Sequence, residues 1–461
     1  MTAKSKWIYL PVEVKNREFD GRLLLACCAT ERNYNVIIGK KNALARSYEY
    51  LPRGMIIDKA ISAFREKQLN KLKSCGFRIT VSDEESIGIY REPEIFLDQR
   101  MSKNTLNIID FFFSWGPEQT KLIQNKYPSF AGKILTTGSP RLDITNKVFH
   151  QIYSESVNLL RKKYGRYILF PSNFSEIVNL HGGMAYQLSI REKQNAFHTE
   201  DNRLYYKGFL THLEKTLANF TNVVPDIAKA FPDHKLIIRP HPGEDPLFWK
   251  NIARDIDNIT VIHEGNVIPW LLAADCMFHQ SCTTGLEAYL LGIPGIAYHP
   301  FYDSLYDNHI STRIGPIVTN KDDLINLIKK TLTGNELQRD DLSWFDNYLT
   351  IDKNMMASEK ILDAISNIEL CNDSLCSINR IPVYCKNKII RFITMKLRKI
   401  KNRIKNEQPV LTTGTRKWPY TTVEDMENSI KILQGATGRF SDIKVKKLTG
   451  QMFLLYKNII A

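Results

Sequence analysis

Apolar residues in this chain fall in short blocks that alternate between two spacings. Trp7 to Val14, apolar except for Glu13, reads as a buried strand. Phe19 to Arg32 places Leu23, Leu24, Cys27 and Cys28 at helical spacing, and Asn35 to Gly39 is a second short apolar strand. Strand, helix and strand in that order make a βαβ unit, the building block of parallel sheets. The alternation continues through a helix around Ala60–Gly76, strand Phe77–Val81, strand Phe111–Ser114, helix Pro117–Lys126 and strand Ile134–Thr137. A second series starts at strand Tyr167–Phe170 and passes through a long polar insert, Asn173 to Tyr206. It then gives helix Gly208–Phe231, strands Lys235–Arg239 and Ile259–His263, and helix Val267–Ala274. Strand Cys276–His279, helix Thr284–Leu291 and strand Gly295–Tyr298 close it. The pattern predicts an α/β protein of two Rossmann-like halves, joined near residues 145–165 and facing a central cleft. The expected domains are 1–150, 151–370 and a helical tail, 371–461.

The tail changes character. From Lys386 to Lys405 there are many Lys and Arg and no acid, while Ile389, Ile393, Leu397, Ile400 and Ile404 form one helical stripe. A basic helix with a single apolar face suits the surface of a membrane, here the inner face of the cytoplasmic membrane. The chain carries a net charge of +14, which points to an anionic partner. Because the excess is local and no nucleic-acid motif accompanies it, nucleic acid is not the expected partner. No apolar run reaches the roughly 20 residues of a spanning helix, and Met1 to Trp7 lacks the build of a signal peptide. A cytoplasmic location is therefore expected. None of the 8 cysteines shows paired zinc-site spacing, so they read as reduced thiols and no metal is expected.

Candidate chemistry sits where strands end. After strand Cys276–His279 come Gln280, Ser281, Thr283, Thr284 and Gly285, small and mostly hydroxylated, at the start of a helix. Backbone N–H groups at such a start, with the helix dipole, favour a phosphate, and the hydroxyls add donors. Glu287, expected in the first turn, is placed to accept hydrogen bonds from ribose hydroxyls. After strand Lys235–Arg239 comes Arg239-Pro-His-Pro-Gly-Glu-Asp245, in which Pro240 and Pro242 stiffen the loop that presents Arg239 and His241. Both can meet a phosphate, and His241 could protonate a leaving group. In the first half Asp83, Glu84 and Glu85 follow strand Phe77–Val81; a carboxylate there is the candidate base or nucleophile. Gly138 and Arg141, after strand Ile134–Thr137, and Asn173 and Ser175, after strand Tyr167–Phe170, are candidate donor or acceptor contacts.

Taken in order, these motifs resemble the bacterial surface carbohydrate biosynthesis protein family, related to capsule and lipopolysaccharide Kdo transferases. The resemblance rests on Pro11-Val-Glu-Val-Lys15 with Arg17-Glu-Phe-Asp20, Asp83-Glu-Glu85 and Thr137-Gly-Ser-Pro-Arg-Leu-Asp143. It rests further on Asn173-Phe-Ser175, Arg239-Pro-His-Pro-Gly-Glu-Asp245 and Gln280-Ser-Cys-Thr-Thr-Gly-Leu-Glu287, and spans roughly residues 7–365. Ser86 stands where a glycine is expected after the acidic run, and Gly-Ser-Pro-Arg replaces Gly-Asn-Pro-Arg. The resemblance implies a GT-B glycosyltransferase. It would take a CMP-activated, Kdo-like sugar to a surface polysaccharide or lipid-linked glycan, without a cofactor. It implies nucleotide contacts from His241, Ser281, Thr283 and Glu287, and a catalytic acid at 83–85. The alternatives are a CDP-glycerol-type phosphotransferase, a UDP-sugar 2-epimerase, or a non-catalytic assembly factor.

Overall fold

β1 (Lys6–Val12) and β2 (Tyr34–Lys40) are joined by the helix Lys15–Glu31 and pair in parallel, Ile8 against Val36 and Leu10 against Ile38. This is the βαβ unit that the spacing predicts, and its helix buries Leu23 to Thr30 continuously. The computed structural model describes residues 6–86, 93–193, 197, 199–307, 310–334, 344–352, 354–370 and 417–457. They divide into two compact units, one from residues 1–84, 100–144 and 349–461, the other from 85–99 and 145–348.

In the first unit β1 and β2 are followed by β3 (Met55–Asp58), β4 (Arg78–Ser82), β5 (Phe111–Ser114) and β6 (Ile134–Thr136). These strands are all parallel and lie side by side in the order 2-1-3-4-5-6. β3 is absent from the expected elements. Its four residues are all buried, so they carry no alternation, and three apolar residues followed by Asp58 are too few to suggest a strand on their own.

The second unit contains β7 (Tyr167–Pro171), β8 (Lys235–Arg239), β9 (Ile259–Val261), β10 (Cys276–His279), β11 (Gly295–Tyr298) and β12 (Ile317–Val318). They form one parallel sheet in the order 12-11-10-7-8-9. Its core is aromatic. Phe170 of β7 stacks on Phe278 of β10 at 4.8 Å and meets Phe220 and Trp249 at 5.2 and 5.3 Å. The polar insert is not structureless. It contains the helix Gly183–Lys193, and the following helix begins at Glu200, capped by the Thr199 hydroxyl, and runs 31 residues to Ala230.

The expected third domain is corrected. Residues 417–457 form the helix Val423–Thr437 and an antiparallel hairpin, β13 (Lys444–Lys447) and β14 (Met452–Tyr456). β14 pairs antiparallel with β2, so the end of the chain extends the first sheet instead of trailing from the second half. Residues 349–370 also belong with the first unit. Asp143 accepts from the backbone N–H of Ala357 and Ser358 at 2.9 and 3.0 Å, capping the helix Ala357–Ser366. The basic stripe 386–405, and Cys371, Cys376 and Cys385, lie outside the described residues. Among the described residues no helix is long and apolar enough to cross a membrane.

Candidate active site

Strand order alone locates two crevices. In an open parallel sheet, ligands bind outside the carboxyl ends of the strands at the point where the winding reverses. Read from its edge, the second sheet runs 9-8-7-10-11-12, so the reversal lies between β7 and β10. The residues that leave those two strands are Ser172 to Ser175 and Gln280 to Gly285. The residues that leave β8, next to β7, are Pro240 to Asp245. Three of the sequence motifs therefore share one edge of one sheet.

At β10 the chain turns sharply. Ser281 has φ +42°, a left-handed conformation that non-glycine residues seldom adopt. The turn delivers the chain into the eight-residue helix Thr283–Leu290, whose N-cap, Cys282, makes no side-chain capping bond. Thr283 and Thr284 are half-buried at this start. Gly285 is required by its neighbour, since a Cβ there would lie 2.6 Å from the imidazole of His279. Glu287 is the fifth helical residue, so it lies beyond the first turn where it was expected, and it is buried.

Behind the turn lies a buried polar network that the sequence did not suggest. Asp307 accepts from His212 at 2.9 Å and from Gln280 at 3.3 Å, and its carboxylate lies 3.4 Å from His299. Ser281 Oγ meets Thr312 Oγ1 at 2.8 Å and His299 Nε2 at 3.4 Å. Burial alone would raise the Asp307 carboxyl, but its bonds to His212 and His299 pull it well below the usual carboxylate range. His279, by contrast, is driven down to about 3 by burial and then by His299, so it packs as a neutral ring. The network fixes Gln280 and Ser281 from behind. Its members come from the helix Glu200–Ala230 and from the stretch after β11, and only the strand-end position of His299 could have hinted at them.

The loop after β8 separates two residues that the sequence had paired. Arg239 is buried, donates to the carbonyls of Glu264 and Gly265 at 2.9 and 3.3 Å, and lies 4.7 Å over the Trp270 ring. Burial lowers its pKa to about 10. Its guanidinium fastens the loop after β9. His241, Pro242 and Gly243 are exposed. His241 Nδ1 accepts from the Gly243 N–H at 3.2 Å, so in the neutral ring the proton sits on Nε2, a donor for an anion. The same motif supplies an unanticipated anchor, Glu244. This fully enclosed carboxylate accepts from Ser172 Oγ at 2.7 Å, the Phe174 N–H at 2.7 Å and Trp249 Nε1 at 2.9 Å. It ties the β7 and β8 loops together; Asn173 and Ser175 are half-buried in the first of these loops, and Ser175 lies beside Gly243 and His241 of the second.

In the first unit, Asp83 is buried in a bidentate pair with Arg100, and Glu84 is buried against Arg22 at 3.0 Å. Burial raises the Glu84 carboxyl more than Arg22 lowers it. Glu85, with which the 85–99 segment of the second unit begins, is the half-buried member of the three. Gly138 has φ +82°, and a Cβ there would stand 2.5 Å from the Thr350 carbonyl, so the glycine serves packing. Arg141 is buried within the same unit and lies close enough to Glu84 to act on its charge. Among the described residues no group of His, Cys, Asp or Glu is placed to hold a metal ion.

No protein-family model and no curated protein matches the chain. Solved structures do. The chain is similar to the UDP-GlcNAc 2-epimerase of Methanocaldococcus jannaschii in complex with UDP-GlcNAc and UDP, with TM-score 0.50 and 13% identity, covering 78% of this chain and 99% of that one. It is also similar to the wall teichoic acid polymerase TagF, with TM-score 0.44, 13% identity and coverage of 78% and 88%. A third is the UDP-GlcNAc 2-epimerase of Neisseria meningitidis bound to UDP-GlcNAc, with TM-score 0.45, 10% identity and coverage of 79% and 100%. At such identities the likeness is one of fold. The fold is GT-B, with two Rossmann-like α/β domains.

Proposed function

We propose that this chain is a glycosyltransferase that moves a sugar from a CMP-activated donor onto a bacterial surface polysaccharide or a lipid-linked glycan. The observation that carries the reading is the start of the helix Thr283–Leu290, set at the winding reversal of the second sheet with Ser281 held in a left-handed turn. Cleaving the bond between the anomeric carbon and the donor phosphate leaves extra negative charge on that phosphate. The helix-start N–H groups, the hydroxyls of Thr283 and Thr284, and the Nε2–H of His241 are donors suited to that charge. Neutralisation by these groups asks for no metal. Glu287, about one turn from the phosphate end, is assigned to the ribose. The cytidine base and the Kdo-like sugar are supported by the resemblance of the motifs alone.

The acceptor hydroxyl loses a proton in the transfer, and a carboxylate of the 83–85 run takes it or first forms a glycosyl ester. Glu85 is the assigned acid because it is the most exposed of the three, Asp83 and Glu84 being buried against Arg100 and Arg22. The test is a thermal-shift panel of CMP, CDP, UDP and GDP on the full chain, followed by transfer assays on Glu85→Gln. Cytidine nucleotides should raise the melting point by mass action. Glu85→Gln should lose transfer while keeping the nucleotide shift. A shift with UDP and none with CMP or CDP would remove the cytidine donor and favour a UDP-sugar epimerase. Normal turnover by Glu85→Gln would move the catalytic acid elsewhere.

A further inference from the structure

The first sheet has its own winding reversal. Its order, 2-1-3-4-5-6, turns at β1, so the crevice lies outside the carboxyl ends of β1 and β3. The residue that follows β1 is Glu13, the residue that follows β3 is Lys59, and Lys41 follows β2. These three meet. The Glu13 carboxylate lies 3.0 Å from Lys41 Nζ, 3.4 Å from Lys59 Nζ and 3.0 Å from Lys417 Nζ. Three ammonium groups thus converge on one carboxylate, and among the described residues only Lys59 has a second acid within ion-pair range, Glu18 at 2.6 Å.

Lys417 is brought from 404 positions along the chain. Its segment is pinned by Trp418, which donates to Gln451 at 2.9 Å, packs edge-on against Phe19, and is followed by Thr421, bonded to Lys15 at 2.7 Å. The side chains of Glu13, Lys41 and Lys417 are 33%, 26% and 38% exposed, so solutes can reach them, while Lys59 is 7% exposed at the floor. The helix Lys15–Glu31 starts beside them with no side-chain cap on Val14, and its dipole adds to the attraction for an anion. A carboxylate holding two partly exposed ammoniums and one buried one stands where a ligand's oxyanion would. Like charges drawn so close repel unless an anion stays among them.

We propose that this crevice is a second binding site, in which the carboxylate or phosphate of an acidic glycan acceptor displaces Glu13 and is held by Lys41, Lys59 and Lys417. That the ligand is an acceptor rests on the second unit being the donor domain; that it is an anion rests on the first unit alone. The test is calorimetric titration of the full chain with three probes: the methyl glycoside of N-acetylneuraminic acid, mannose 6-phosphate, and neutral methyl mannoside. Each is titrated with and without saturating CMP. At least one acidic probe should bind at least tenfold more tightly than the neutral one. The tighter of the two acidic probes names the group the acceptor carries. Lys41→Ala/Lys417→Ala should weaken it at least tenfold with the CMP-induced melting shift unchanged. Glu13→Gln should tighten it, because the ligand no longer competes with a tethered carboxylate. A purely structural ion cluster would give the opposite, loss of melting temperature without gain of affinity. The proposal is overturned if neither acidic probe exceeds the neutral one, if the double variant binds as well as the parent, or if Glu13→Gln weakens binding. Loss of the CMP response in the parent would instead strike the donor reading and leave the anion result intact.

Discussion

Glu244 shows how one side chain sets the shape of the candidate site. Full burial lifts its pKa to about 7, outweighing the hydrogen bonds from Ser172, Trp249, Phe174 and the His241 backbone, which all favour the charged form. In the unfolded chain a glutamate titrates near 4.5. Between these values the folded protein holds more protons than the unfolded one, so stability falls as pH rises through the window and levels off above it. From pH 6 to pH 7 this one group should cost about 1 kcal/mol. Glu244→Gln, which keeps the shape and loses the titration, should flatten that part of the profile. Asp143, raised to about 6 by burial, keeps its own slope at lower pH. Urea unfolding of both proteins at pH 5, 6, 7 and 8 reads the difference, and parallel profiles would assign the slope to other groups. At this scale the sequence was legible in part. It singled out His241 and Ser281 because prolines and hydroxyls at strand ends are a local signal. It could not separate Arg239 from His241, because whether a guanidinium faces a ligand or its own loop depends on Glu264, Gly265 and Trp270, some 25 to 31 positions away.

At the scale of elements, the strand-to-helix turn at residues 279–285 depends on a close approach. Gly285 leaves room for the buried His279 ring, which a Cβ would meet at 2.6 Å. Gly285→Ala must push either the imidazole or the first helical turn aside, and overpacking of this kind costs about 1–3 kcal/mol. Since Ser281 and Thr283 share that turn, the variant should lose nucleotide affinity as well as melting temperature. Thermal unfolding with and without CMP measures both. A melting temperature within a degree of the parent's would mean that the ring relaxes freely, and the tight turn would lose its role. The strands of both sheets were legible wherever an apolar run was flanked by turn residues, as at β7, β8, β10 and β11. The exceptions have physical causes. β3 is four buried residues, and β14 is recognisable only through its partner β2, which lies more than 400 residues earlier. The helix Ala357–Ser366 is fixed to the first unit by Asp143, over 200 positions away, a contact that no local pattern announces.

For the whole molecule, the return of residues 417–457 to the first sheet alters how the basic stripe must be tested. Residues 349–370 and 417–457 both belong to the first unit, and the stripe from Lys386 to Lys405 falls between them in the sequence. A chain cut before Lys386 would also lose β13, β14 and Lys417, exposing the β2 edge, and any loss of binding would be ambiguous. Substitution keeps these elements. A glycan carried on a lipid is met at a membrane surface, and each Lys or Arg close to anionic lipid contributes about 1 kcal/mol. Ile393, Leu397 and Ile400, on the apolar face of the expected helix, would add insertion. Association should therefore need both anionic lipid and the apolar face, and should weaken as salt screens the charges. Co-sedimentation with vesicles of neutral lipid, or of neutral and anionic lipid mixed, at low and high salt, compares the parent with Ile393→Ser/Leu397→Ser/Ile400→Ser. The parent should pellet only with anionic vesicles at low salt, and the triple variant should stay in solution with its melting temperature unchanged. Equal pelleting of the two proteins would place the membrane contact outside the stripe, and failure of both to pellet would leave the stripe with no membrane role.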